Sequence, residues 1–202
     1  VSELWVGARL KVAMFAEASK PKLPVTAQWV EGFAAHASPH LGAMAFFMFA
    51  TGAGIGEAVA LTWADIDFDT RTAIINQTKI EDTRQAHLPA PVVVALANIP
   101  STRDPAAKVF GYAFRDSVYD AWYAVVKRAG IQRLTPHSCR HGFATTMLHK
   151  GFDAKTVAQM GGWKDAATVL RTYAHARTDS TITDALLDTP AAQYAAVHKL
   201  KA

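Results

Sequence analysis

Residues 135–145 read Thr135-Pro136-His137-Ser138-Cys139-Arg140-His141-Gly142-Phe143-Ala144-Thr145. Proline has no backbone N–H and a fixed φ, so it suits a first helical turn, and Pro136 marks a helix start with helical spacing from Ser138 to Lys150. His137 and Arg140 are three residues apart and share one face near that helix's N-terminus. The unpaired N–H groups and positive dipole end there already favour an anion. A guanidinium fork and an imidazole beside them make a candidate phosphate site. The same residues also fit an ordinary helix start with a surface arginine, and this segment alone does not separate the two.

The flanking sequence sets the fold class. Upstream, Thr26 can cap a helix from Gln28 to His36, and Leu41 to Ala50 reads as a buried apolar helix. Thr51-Gly52-Ala53-Gly54 interrupts it, and helical spacing resumes from Ile55 to Trp63. Asp65-Ile66-Asp67-Phe68 leads into a turn at Asp69-Thr70, and Thr72 to Gln77 is rich in β-formers. Lys79 to Thr83 is polar and turn-like, and Arg84 to Leu88 fits the return strand of a hairpin ended by Pro89 and Pro91. Helices are expected from Val92 to Ala97, Arg115 to Ala129, Ala154 to Met160 and Ala166 to Tyr173. Two more are expected at the ends, Ser2 to Ala18 and Ile182 to Leu200. The pattern is mainly α with a small antiparallel β-sheet, an α+β class, without the βαβ alternation of a parallel sheet.

Downstream, Gly161-Gly162-Trp163-Lys164 is followed by Thr168-Val169-Leu170-Arg171-Thr172-Tyr173-Ala174-His175. His-x-x-Arg, a Trp after Gly, and a Tyr-x-His about ten residues on resemble the tyrosine recombinase (phage integrase) family. His137, Arg140, Trp163 and Tyr173 match in order. Thr51-Gly52 with Glu57, Leu61, Trp63 and Asp65-Ile66-Asp67 resembles the family's opening segment, T-G-x-R-x-x-E…L-x-W-x-D-I-D. Thr78-Lys79 resembles its mobile lysine, and Leu88-Pro89 its usual strand ending. The resemblance runs roughly from Thr26 to Arg177 and implies the recombinase catalytic-domain fold with a three-stranded sheet. There is one departure. The family's first catalytic arginine falls at position 54, where this chain has Gly54. Arg71 lies past that helix in the hairpin region and is expected to point elsewhere.

The resemblance implies a role for each matched residue. Tyr173 would attack a DNA phosphate to give a 3′-phosphotyrosine, and Arg140 would stabilise the non-bridging oxygens. Lys79 would protonate the leaving oxygen. His137 would bond the phosphate or help remove the tyrosine proton, and Trp163 would pack against the site and offer its indole N–H. Glu57 would orient His137 or Arg140, and His175 would support the tyrosine's helix. The chemistry implies no cofactor and no metal. Each residue also has a plainer reading: a half-buried Tyr173, a core Trp163, a solvated turn Lys79. Cys139 reads as a small buried hydrophobe. Losing one preorganised donor costs about 10²–10³ in rate, so Gly54 is expected to leave the chain inactive or severely impaired.

Bulk properties agree without deciding. Half of the 202 residues are apolar, enough for a core, and the net charge of +4 mildly favours an anionic partner. A single cysteine suits a reducing, intracellular (cytoplasmic, prokaryotic or phage-encoded) setting, and no apolar run reaches membrane-spanning length. The expected organisation is an N-terminal helix or linker over residues 1–23, a catalytic domain over 24–180 and a C-terminal helix over 181–202 that docks on a neighbouring protomer. The chain begins with Val1, which suggests a fragment lacking an N-terminal DNA-clamping arm. Double-stranded DNA and a homotetramer on DNA are the implied partners, with a monomer alone, and no membrane. Three alternatives are weighed. One is a DNA-binding homologue without catalysis, which Gly54 favours. Another is a dinucleotide-binding module built on Gly52-Ala53-Gly54-Ile55-Gly56, which Glu57 disfavours by filling the place of a small residue. The last is a basic helical domain of other role.

Overall fold

The computed structural model describes residues 23–76 and 83–173. The expected end helices, Lys79, the hairpin tip and His175 lie outside the described residues. The elements run α1 (Ala27–Ala34), α2 (Pro39–Thr51), α3 (Ile55–Ala60), a 3₁₀ turn (Trp63–Asp65), β1 (Ile66–Asp67), β2 (Thr72–Asn76) and β3 (Thr83–His87). Then come α4 (Ala90–Ala97), α5 (Arg115–Ala129), α6 (His137–His149), α7 (Ala154–Gly161) and α8 (Ala166–Tyr173). This is the mainly helical class with one small antiparallel sheet, in strand order β1-β2-β3.

Helix α2 is apolar on nearly every side because it runs through the centre, and α1, α4 and α6 all pack on it. Ser38 caps it, accepting a hydrogen bond from Leu41 N, with Pro39 in its first turn. Thr26 caps α1 as expected, accepting from Trp29 N at 3.2 Å. Helices α1 and α5 are joined by an aromatic stack: Trp29 lies 5.2 Å from Phe33, and Phe33 lies 4.2 Å from Trp122. Both indole N–H groups find backbone acceptors, Gln132 O for Trp29 and Leu134 O for Trp122, each at 2.9 Å. A second, smaller core joins α6, α7 and α8 through Phe143, Ala144, Val157, Ala158, Val169 and Tyr173.

Two expectations are corrected in the middle of the chain. The helix from Ile55 stops at Ala60 and does not reach Trp63. The backbone there pairs elsewhere: Trp63 N donates to Ala107 O at 3.1 Å, and Val109 N donates to Leu61 O at 3.0 Å. The Asp65 carboxylate then accepts from Thr62 N and Thr62 Oγ1, each at 2.8 Å, and starts the separate 3₁₀ turn. Thr83, read as part of the turn, is the first residue of β3, where it pairs with Asn76. The dinucleotide reading also fails, because Gly52 follows helix α2 where that fingerprint needs a strand. Arg71 sits exposed on the turn between β1 and β2.

The approach to the site is tight. Val25 N donates to Ser138 O at 3.1 Å, so the extended residues before α1 cross the start of α6. Gly142 lies at that crossing, and a Cβ there would overlap the Val25 carbonyl and press on the Phe49 ring. Gly142→Ala is therefore expected to cost about 3 kcal/mol of stability, read as a lower urea midpoint. An unchanged midpoint would show that this crossing yields.

Candidate active site

Helices α2 and α7 end side by side, and both end the same way. Gly52 and Gly162 take left-handed φ of 68° and 71°, a conformation glycine adopts without a Cβ penalty. Each cap leaves terminal carbonyls without helical partners. The Arg140 side chain rises from the first turn of α6 into the space between them. Its Nη1 donates to Gly52 O at 2.6 Å and Gly161 O at 2.7 Å, and its Nη2 donates to Gly162 O at 3.0 Å. The Trp163 ring covers one face of the guanidinium, with Cζ 3.9 Å from the ring centroid. Gly161 permits this approach, since a Cβ there would overlap the Trp163 ring.

A carboxylate completes the cluster. Glu57, in the first turn of α3, accepts from Gly54 N at 2.8 Å through Oε2. The same oxygen lies 3.4 Å from Arg84 Nη2 and 3.7 Å from Arg140 Nη1. Burial pushes both guanidinium groups below their ordinary value, and Glu57 pulls them back.

Tyr173 closes the site at the last turn of α8. Its ring is buried, 5.6 Å from Trp163 and 5.1 Å from His141. Burial raises the phenol above its ordinary value, while the Arg140 charge and a hydrogen bond with the Trp163 side chain lower it in part. His137 is exposed at the start of α6, with its ring 4.6 Å from His141. The structure thus brings Glu57, Trp163 and Tyr173 together about Arg140, with His137 joined to Tyr173 through the His141 ring.

Two residues join them that the sequence reading did not assign. His141 lies between His137 and Tyr173, and its signal was its spacing of four from His137, which places both on one helix face. Arg84 sits on the buried face of β3 opposite Ile75, with Ala86 on the same face. Strand alternation was the signal there, because a charge on a buried face needs a partner. Beside the cluster, a cleft of about 1000 Å³ is lined by Arg84, Gln85, Lys155, Gln159, Trp163 and Lys164 among others. Among the described residues no cluster of three His, Cys, Asp or Glu is arranged to hold a metal ion.

The phage integrase family model matches residues 28–179. The chain belongs to the phage integrase family. Among the family's members, the tyrosine recombinase XerA of Thermococcus onnurineus is 31% identical over 133 residues, covering 60% of this chain and 47% of that protein. The tyrosine recombinase XerD of Bifidobacterium longum is 30% identical over 165 residues, covering 73% of this chain and 53% of that protein. This chain spans about half the length of these relatives. In fold it is similar to the catalytic domain of the bacteriophage HP1 integrase, with TM-score 0.63 at 20% identity, covering 84% of this chain and 97% of that one. No helix among the described residues of this integrase-family chain is long and apolar enough to cross a membrane.

The Trp163–Tyr173 contact can be tested without any reaction. Trp163→Phe keeps a ring but removes the indole N–H, so the phenol pKa of Tyr173 should rise further. The check is the pH titration of ¹³Cζ-labelled tyrosine, with Tyr173→Phe assigning the signal. An unmoved or lowered pKa would show that the indole does not stabilise the phenolate.

Proposed function

We propose that this chain is the DNA strand-cleaving and rejoining domain of a site-specific recombinase, impaired by the glycine at position 54. The observation that carries this reading is the convergence of Arg140, Trp163 and Tyr173 at the meeting of two helix ends. A guanidinium with N–H groups to spare lies near a phenol, which is what phosphoryl transfer to a tyrosine requires. Family membership and the similarity to recombinase folds support it. One such fold is the Tn1549 transposon integrase solved in complex with a circular intermediate DNA, with TM-score 0.68 at 22% identity, covering 87% of this chain and 68% of that one.

In this mechanism the Tyr173 oxygen loses its proton and attacks the phosphorus, with His137, beyond the nearer His141 ring, as the candidate acceptor. The bond from phosphorus to the 5′ oxygen breaks, and that oxygen takes a proton from Lys79. The product is a 3′-phosphotyrosine and a free 5′-hydroxyl. Attack by another 5′-hydroxyl reverses the step, so rejoining needs no external energy source. Arg140 supplies charge-assisted donors to the non-bridging oxygens as their charge grows. Three of its five N–H groups go to the helix carbonyls, and the other two have no partner among the described residues.

Gly54 removes what would be a second cationic donor. Its backbone has φ −74° and ψ 159°, open to any residue, and a Cβ there meets only Glu57 Oε2 at 3.8 Å. Neither the backbone nor the space at Cβ therefore opposes a side chain at this position. The second reading, a DNA-binding homologue that does not cut, is favoured by Gly54 alone. Tetramer formation on DNA and docking of residues 181–202 on a neighbouring protomer belong to the same proposal.

The test is covalent capture. Supercoiled plasmid is incubated with the chain, with Gly54→Arg, and with Gly54→Arg combined with Tyr173→Phe, then denatured. Gly54→Arg is expected to trap protein on nicked DNA at least about 10²-fold faster than the parent, and the double variant not at all. Equal trapping by the parent would overturn the impairment. No trapping by Gly54→Arg on any plasmid would favour the binding-only reading.

A further inference from the structure

We propose that Arg84 gives this site its surplus positive charge: by offsetting Glu57, it leaves Arg140 available to a phosphate. The inference rests on reading the cluster as a phosphate site. Glu57 Oε2 lies 3.4 Å from Arg84 and 3.7 Å from Arg140, and the side chains of Arg84, Glu57 and Arg140 are only 8%, 12% and 13% exposed. Charges buried this far are weakly screened, so their sum matters. Glu57 and Arg140 alone cancel. Arg84 leaves the cluster one positive charge, which matches a phosphodiester, and the five-coordinate state then needs more. In the family's pattern an arginine at position 54 supplies such a charge from α3. Here the second guanidinium comes from β3.

The placement of Arg84 is not what a saturated structural tie looks like. Nη1 donates to Met160 O at 3.1 Å, the contact to Glu57 is long, and the buried Nε has no partner among the described residues. The two guanidinium groups also oppose each other, since the Arg140 charge disfavours a charged Arg84. Two buried cations sharing one carboxylate repel unless an anion joins them. An entering phosphate relieves that repulsion. Arg84 is thus a positioning residue that acts through Glu57 and Arg140.

The test uses inorganic phosphate as the probe. Phosphate is titrated into ¹⁵N-labelled protein while the arginine side-chain Nε–H signals are followed, with Arg140→Lys assigning that of Arg140. Four chains are compared: the parent, Arg84→Met, Glu57→Gln, and the double variant. Arg84→Met keeps the stem and loses the charge, and it should weaken phosphate binding about tenfold. Glu57→Gln should tighten it. The double variant leaves Arg140 as the one charge and should return to within about threefold of the parent. Equal affinity in the parent and Arg84→Met would overturn the inference alone, and so would a double variant weaker than Arg84→Met. No phosphate response at Arg140 in the parent would overturn both the inference and the phosphate-site reading. If circular dichroism shows that Arg84→Met does not fold, Glu57→Gln decides: tighter binding supports the charge account, and weaker binding overturns it.

Discussion

Arg140 sits where two helices run out, and much of the small C-terminal core depends on how that junction is closed. The last carbonyls of α2 and α7 have no helical acceptor role left to fill. They also carry the negative ends of two helix dipoles. Burying them against each other would leave several acceptors unsatisfied, each at a cost of about 1–3 kcal/mol. One planar guanidinium satisfies Gly52, Gly161 and Gly162 together. Lysine has a single ammonium and no fixed fork, so it does not span three carbonyls on two helices in this way. The interaction that fastens α7 to α2 is therefore the same one that puts a buried cation next to Tyr173.

That double use shapes the surroundings. Trp163 covers the guanidinium, excludes water from it and offers its N–H to the tyrosine. Glycine at position 161 lets the indole come close, and glycine at 52 lets the α2 terminus turn away beneath Phe143. Tyr173, held between Trp163 and His141, is buried and neutral. The proposed attack then requires an event that removes its proton and brings a phosphate to the two unused N–H groups of Arg140. A site kept this dry strengthens each charged contact within it and equally penalises an unbalanced charge. This is why the partner of Glu57 matters as much as its presence.

Most of this was legible in the sequence where the signal was local. The i, i+3 spacing of His137 and Arg140, the glycine interruption after Thr51, and the hairpin prolines each report a short-range backbone constraint. The helix over Arg115–Ala129 is found at its expected bounds because its periodicity and the following Gly130 agree. What was missed depends on long-range pairing. The end of α3 is set by residues 107–109, more than forty positions away, which form backbone hydrogen bonds that propensity cannot reveal. Arg84 looked like the start of a polar return strand. Its importance follows only from the β2–β3 register, which faces it toward Glu57 and the end of α7. The gathering of His137, Trp163 and Tyr173 around Arg140 was expected from resemblance. The use of helix-end carbonyls to hold that arginine was not expected at all.

Position 54 shows how a fold can hold a place in its site with backbone alone. Its structural duty is carried by the backbone: Gly54 N donates to Glu57, and Gly54 O accepts from Ala58 N at 3.0 Å to open α3. Glycine is a tolerable N-cap, within a few tenths of a kcal/mol of better ones. A Cβ there would meet only Glu57 Oε2, at 3.8 Å, so the surrounding packing does not call for a side chain. The converse holds for Arg140, whose removal would strand three carbonyls. On the reading proposed above, a missing charge at 54 alters the chemistry with little effect on the fold, whereas a missing charge at 140 would alter both. Of the two arginine positions in the family's pattern, the fold of this chain leans on the one at 140.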